Sequence, residues 1–150
     1  MSASSIRIFS VNTSFVLKNK RIIIKWIIDS IKNEHKNPGT INIVFCSDSY
    51  LLKLNKQYLN HDTYTDILTF DYSKDFRGDI SGDIYISIDT VKRNAQLFLQ
   101  TVNKETLRVV IHGIMHICGY TDKTQKEKAT MTQKENQYIA EFQQKNNCST

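Results

Sequence analysis

The sequence predicts a mixed α/β domain of the α+β kind, in which a small mixed four-stranded sheet packs with about five helices. Three observations lead there. Short apolar runs, alternating or continuous, recur through the first half of the chain. Longer stretches with apolar residues at three- and four-residue spacing separate them and fill the last third. The chain has 150 residues, 40% hydrophobic and 23% charged, so residues 1–150 are expected to form a single domain with a substantial core.

The elements follow in order. "IRIFSV" near the start alternates and reads as a short strand. In "NKRIIIKWIIDSIKNEHKNPG", Ile24, Ile27, Ile28 and Ile31 recur at helical spacing, and "NPG" is expected to stop the helix. "INIVF" at 41–45 suits a buried strand. Ser47 can cap the next helix, whose Leu51, Leu54 and Tyr58 share a face. "TDILTFDY" at 65–72 puts Leu68, Phe70 and Tyr72 on one side of a strand. "GDIYISID" at 82–89 does the same with Ile84, Ile86 and Ile88. The polar "SKDFRGDIS" between them suits an antiparallel pair. A helix is expected after Asp89, with Val91, Ala95, Phe98 and Leu99 aligned. Asn103 is expected to cap another, whose Leu107, Val110, Ile111, Ile114, Met115 and Cys118 form one stripe. "TQKE" at 124–127 is a capping-box pattern opening a last helix with Met131, Tyr138 and Phe142. The tail "QQKNNCST" is expected to fray.

One segment carries chemistry: "HGIMHICGYTD" at 112–122. On a wheel at about 100° per residue, His112 and His116 fall roughly opposite the apolar stripe. They lie a turn apart, so both imidazoles point the same way. This is the spacing by which one helix gives a metal two nitrogen ligands. Gly119 can end the helix in the left-handed conformation, letting the chain turn back. Asp122 then approaches the same point. Two histidines at this spacing also occur at helix ends without any metal. The glycine, the aspartate and the position off the core stripe favour a metal. The expected ligands are His112, His116 and Asp122, holding one Zn2+ per chain or another divalent ion, with a fourth position open for catalysis. Zinc peptidases of the H-E-x-x-H design carry a glutamate base after the first histidine. Gly113 stands there, which argues against that design.

The segment resembles the signature of the YbeY family, H-G-x-L-H-L-x-G-Y-D-H. These are bacterial metal-dependent endoribonucleases of ribosomal RNA maturation. "LNKQYLNHDTYTDILTF" at 54–70 is similar to the family's L-N-x-x-Y-R-x-x-D-x-P-T-D-V-L-S-F, "GDIYISIDTVKRNA" at 82–95 looks like its G-D-I-x-I-S segment, and Met131 with Glu135 matches its last-helix pattern. The resemblance covers roughly residues 41–140. It implies a single-strand-specific, zinc-dependent endoribonuclease in small-subunit (16S) ribosomal RNA maturation and ribosome quality control. Ribosomal RNA and the small ribosomal subunit would be its partners. Two other functions compete: a ribosome-assembly factor with a mainly structural metal, and a metallopeptidase-like hydrolase. Two departures stand out. Asp122 replaces the family's third histidine, with Thr121 where its aspartate would be. Leu59 replaces an arginine expected to hold phosphate, with Tyr64 in place of a proline.

The net charge of +5 suits a phosphate-rich partner. Lys56, Arg77, Lys92, Arg93 and Arg108 lie in or beside the family-like blocks and are the RNA-binding candidates. Asp62 and Asp66 are expected to be structural, His35 and His61 to be surface residues, and Cys118 to pack in the core. Tyr120 could pack or stack on a base. Cys46, Cys118 and Cys148 match no disulfide scaffold or zinc knuckle. The opening "MSASSIRIFS" lacks an apolar signal core, and "IIIKWII" is far short of a membrane span. A cytoplasmic setting is the expectation.

Overall fold

Four strands form one sheet: β1 (Ser5–Ser10), β2 (Pro38–Cys46), β3 (Ile67–Asp71) and β4 (Ile80–Ser87). Their spatial order is β1-β2-β4-β3. β1, β2 and β4 run parallel, and β3 closes the edge antiparallel to β4. The computed structural model describes residues 5–59, 67–73 and 79–146, apart from the side chains of Tyr58 and Leu59. Five helices accompany the sheet: α1 (Lys20–Asn33), α2 (Asp48–Leu59), α3 (Ile88–Leu97), α4 (Val102–Ile117) and α5 (Gln125–Asn146). The expected order of strands and helices, and the antiparallel pairing of the third and fourth strands, are all present.

Side-chain alternation divides the sheet into two unequal faces. Ile8, Ile43 and Ile84 lie in one cross-strand row, and Phe45, Ile86 and Ile67 in another. These rows face the main core, to which α1, α3, α4 and α5 all contribute. The opposite face carries Cys46, Leu68, Phe70 and Tyr85, covered by Leu51, Leu54 and Tyr50 of α2. So α2 lies across the sheet from α4. Among the described residues, no helix is long and apolar enough to cross a membrane.

Several caps form as their sequences dictate. The Ser47 Oγ accepts from the Tyr50 N–H at 3.2 Å. At α5 the capping box closes both ways: Thr124 Oγ1 accepts from the Glu127 N–H, and the Glu127 carboxylate accepts from the Thr124 N–H, each at 3.0 Å.

Other boundaries depart from expectation. The buried stripe of α1 is Ile23, Trp26, Ile27, Ser30 and Ile31, leaving Ile24 and Ile28 half-buried. The helix turns toward Trp26 because that indole edge-packs on Phe142 and donates to the Tyr138 carbonyl at 2.8 Å. "NPG" does not stop α1. His35, exposed and left-handed at φ 61, follows its end, and Pro38 opens β2, where a missing N–H is tolerated. β4 ends at Ser87 rather than 89, because Ser87 caps α3 through the Thr90 N–H. α3 stops at Leu97, so Phe98 and Leu99 leave the aligned face and are exposed. Thr101, not Asn103, caps α4: its Oγ1 accepts from the Lys104 N–H at 3.0 Å. The tail is helical through Asn146.

α4 is the central helix, buried on nearly every side. It approaches the sheet closely at Gly113. A Cβ there would sit 2.8 Å from Ile84 Cγ2 and 3.0 Å from Ile67 Cδ1. Gly113→Ala is therefore expected to destabilise the fold by roughly 1–2 kcal/mol, overpacking outweighing the gain in helix propensity. Thermal melts would check this; an unchanged or raised midpoint would contradict it.

Candidate metal centre

One column of α4 stays open. Lys104, Arg108, His112 and His116 recur one per turn and are only partly buried, while their neighbours from Glu105 to Ile117 are buried. Tyr120 continues the column past the helix end. The helix stops as expected at Gly119, which adopts φ 115 with nothing near the place of a Cβ. Backbone conformation, not space, demands glycine here. The Gly119 N–H bonds the His116 carbonyl and the Tyr120 N–H bonds the Met115 carbonyl, the pattern of a left-handed helix cap.

This turn brings Asp122 back over the histidines. His112 Nε2 and His116 Nε2 are 3.0 Å apart. Asp122 Oδ2 lies 3.4 Å from the first and 3.6 Å from the second. The three form a group that could hold a metal ion. The edges of this triangle match the separation of about 3.3 Å between ligand atoms held at zinc's bond lengths in a tetrahedron.

The other ring nitrogens define the tautomers. His112 Nδ1 meets Glu135 Oε2 at 2.6 Å, and His116 Nδ1 meets the Tyr120 carbonyl at 3.0 Å. A carboxylate and a carbonyl only accept, so both Nδ1 atoms carry the hydrogen. Both Nε2 lone pairs then face one another and the Asp122 carboxylate. Such a set of three converging acceptors fits a cation. Burial, and then the neighbouring His112, hold His116 below the usual imidazole range against the pull of Asp122. That favours the neutral, ligating form.

A second layer steadies these partners. Glu135, buried, also takes an ion pair from Arg108 at 2.9 Å, and Arg108 donates to Asn136 at 2.9 Å. On the other side, Glu34 at the end of α1 accepts from the Tyr120 hydroxyl at 2.7 Å, from Lys134 at 3.0 Å and from the Tyr138 hydroxyl. Burial opposes its charge, but these donors outweigh it and keep Glu34 below the usual carboxylate range. Glu135 had a sequence signal: it interrupts the apolar series Met131, Tyr138 and Phe142 of α5. Glu34 had none, since its partners lie 86 to 104 residues away.

The remaining candidates fall as follows. Arg108 shares the open column but is tied to Glu135. Lys56 is exposed on α2, across the sheet from α4. Lys92 is exposed on α3. Arg93 binds Asp48 at 2.8 Å, joining the starts of α2 and α3. Of the described candidates, Arg108 alone lies beside the histidines, sharing Glu135 with His112, whereas Lys56, Lys92 and Arg93 sit on α2 and α3. Arg77, His61, Asp62, Tyr64 and Asp66 lie outside the described residues, as does the Leu59 side chain. Tyr120 is engaged by Glu34 and by Lys134, whose Nζ sits 5.5 Å from its ring centre. Cys118 is buried, its thiol pushed up to about 12, chiefly by burial. Gly113 faces the sheet, so no base can project from that position.

Two cavities of about 230 Å³ flank the centre along the column. One is lined by Phe98, Gln100, Lys104, Glu105 and Arg108. The other is lined by Gly119, Tyr120, Thr121, Lys126, Glu127 and Thr130.

Comparison with known proteins identifies the family. The family described as Endoribonuclease YbeY matches residues 9–143. A protein of Flavobacterium psychrophilum named Endoribonuclease YbeY is 43% identical over 93% of this chain and 98% of its own. One of the same name from Cytophaga hutchinsonii is 47% identical over 90% of this chain and 94% of its own. A Thermotoga maritima protein solved in solution is similar with a TM-score of 0.64 at 31% identity, covering 93% of this chain and 90% of that one. The matched residues span β2 to β4, the central helix and its two histidines, and the chain belongs to the YbeY endoribonuclease family.

Proposed function

We propose that this protein is a metal-dependent endoribonuclease that cuts single-stranded ribosomal RNA of the small subunit, with His112, His116 and Asp122 holding one Zn2+. The observation that carries this reading is the convergence of three ligand atoms on the open column of α4, each histidine held by an acceptor at its far nitrogen. Family membership supports the reaction class. The ribosomal setting follows from the family resemblance, and a cytoplasmic location from the cysteine usage.

The chain's own residues divide the work. His112, His116 and Asp122 would bind the ion. When bound, the ion would supply Lewis acidity and charge neutralisation at a phosphodiester. Glu135 and the Tyr120 carbonyl hold the imidazoles in the tautomer that presents Nε2. Glu135 is already shared by His112 and Arg108, so it is poorly placed to serve as a general base. RNA carries its own nucleophile, the 2′-hydroxyl, which lessens the need for a protein base beside the site. The peptidase reading loses support because Gly113 is buried against Ile84 and Ile67. A purely structural metal is not favoured either, since His112, His116 and Asp122 are all partly open and cavities lie on both sides of them.

The direct test is cleavage of a labelled single-stranded ribosomal RNA fragment by zinc-loaded protein, with His112→Ala and metal-stripped protein in parallel. Cleavage is expected from the loaded wild type only. Activity that survives in His112→Ala would sink the proposal. Glu135→Gln is expected to weaken zinc binding about 10- to 100-fold while the fold persists, read by competition with a chelating dye. Asp122→His replaces a charged ligand with a neutral one and leaves the site more positive. It is expected to retain zinc and move the activity profile to lower pH; an unmoved profile with zinc bound would show that ligand charge does not govern the rate.

A further inference from the structure

The α3–α4 turn is the least explained surface among the described residues. Leu97, Phe98 and Leu99 are 73%, 59% and 91% exposed. The turn is well fixed: the Phe98 N–H bonds the Asn94 carbonyl at 2.9 Å, and the Gln100 N–H bonds the Ala95 carbonyl at 2.8 Å. Glycine normally takes the left-handed position of such a turn. Here Leu99 takes it at φ 55. Its side chain is exposed, so burial does not offset the strain. Backbone strain of this kind clusters at ligand-binding sites, and here it stands beside an exposed aromatic ring.

Phe98 lines the cavity of about 230 Å³ that also holds Gln100, Lys104 and Arg108. Apart from Phe98 the lining is polar, which suits a flat, polar-edged group better than an apolar protein surface. Lys104 and Arg108 are the first members of the column that leads to His112. At 1.5 Å per residue they lie about 12 Å and about 6 Å from it along the helix axis. Glu105, the one acidic wall, is buried. Arg108 shares its charge with Glu135, so Lys104 is the cation left to face a phosphate.

We propose that this cavity is a nucleotide subsite, in which Phe98 stacks on a base of single-stranded RNA and Lys104 meets an adjoining phosphate. The proposal rests on the endoribonuclease reading above and adds a substrate contact to it. Stacking on one ring accepts any base, so the subsite would hold the strand without selecting a sequence. It would also supply a contact on the same helix column as the metal centre, which the cations of α2 and α3 do not.

The test uses zinc-loaded protein and a fluorescent 2′-O-methyl oligoadenylate, which lacks the nucleophile and stays intact. Phe98→Ala is expected to raise Kd roughly 5- to 150-fold, with zinc content unchanged. Phe98→Trp is expected to keep the affinity, and its new fluorescence to be quenched on binding. The native tryptophan, Trp26, is buried at 5% exposure and contributes a steady background. Equal binding by wild type and Phe98→Ala would overturn the subsite and leave the enzymatic reading intact. Loss of self-association in Phe98→Ala without loss of RNA affinity would overturn it in favour of a protein contact. Failure of the wild type to bind or cleave any single-stranded RNA would overturn both.

Discussion

Helix α4 must be buried on almost its whole circumference and still present one polar residue per turn to the outside. The rest of the molecule is arranged around that constraint. Three sides of the helix meet the sheet, α3 and α5. Gly113 allows the sheet side to come close, because Ile84 and Ile67 occupy the space a side chain would need. A fully buried helix cannot carry metal ligands accessible to substrate, and a surface helix cannot hold them rigidly. The column from Lys104 to His116 is the compromise, a polar line along an otherwise apolar rod.

Charges this close to a core persist only when paired. Glu135 meets that requirement by bonding His112 on one side and Arg108 on the other. Glu34 meets it through two tyrosine hydroxyls and Lys134. The effect is mechanical as well as electrostatic. The end of α1, the cap of α4 and the middle of α5 are joined in one network, and the imidazoles are its inner members. Ring orientation at the centre therefore depends on residues from three separate elements.

The ligand triangle has one acidic corner. With neutral histidines and an ionised Asp122, the set carries one negative charge before any ion binds. A third histidine would carry none. That difference alters how much positive charge a divalent ion retains for a phosphodiester. Cation placement follows a similar economy. Arg93 serves the junction of α2 and α3 by pairing with Asp48, whose carboxylate is kept below the usual range by Arg93, Ser87 and Thr90 against its burial. Arg108 serves Glu135. Arg93 and Arg108 are thus both occupied within the structure.

Local chemistry determined much of this protein. Strand alternation, the Ser47 cap, the capping box at Thr124 and Glu127, and the glycine that ends α4 all act within a few residues, so the sequence alone expresses them. The i, i+4 histidines belong to the same class, because helical geometry puts both rings on one side whatever surrounds them. What only the tertiary structure decided depends on partners far along the chain. Trp26 sets the face of α1 because its N–H finds the Tyr138 carbonyl, 112 residues away. Phe98 and Leu99 have the periodicity of a buried face, yet α3 ends before them and they stand in solvent. The return of Asp122 to the histidines was legible in the Gly119 turn, and the fold sets only its distance, 3.4 Å from His112. The Tyr120 carbonyl that orients His116 belongs to the local turn, but Glu135, which orients His112, comes from α5, and packing brings it there.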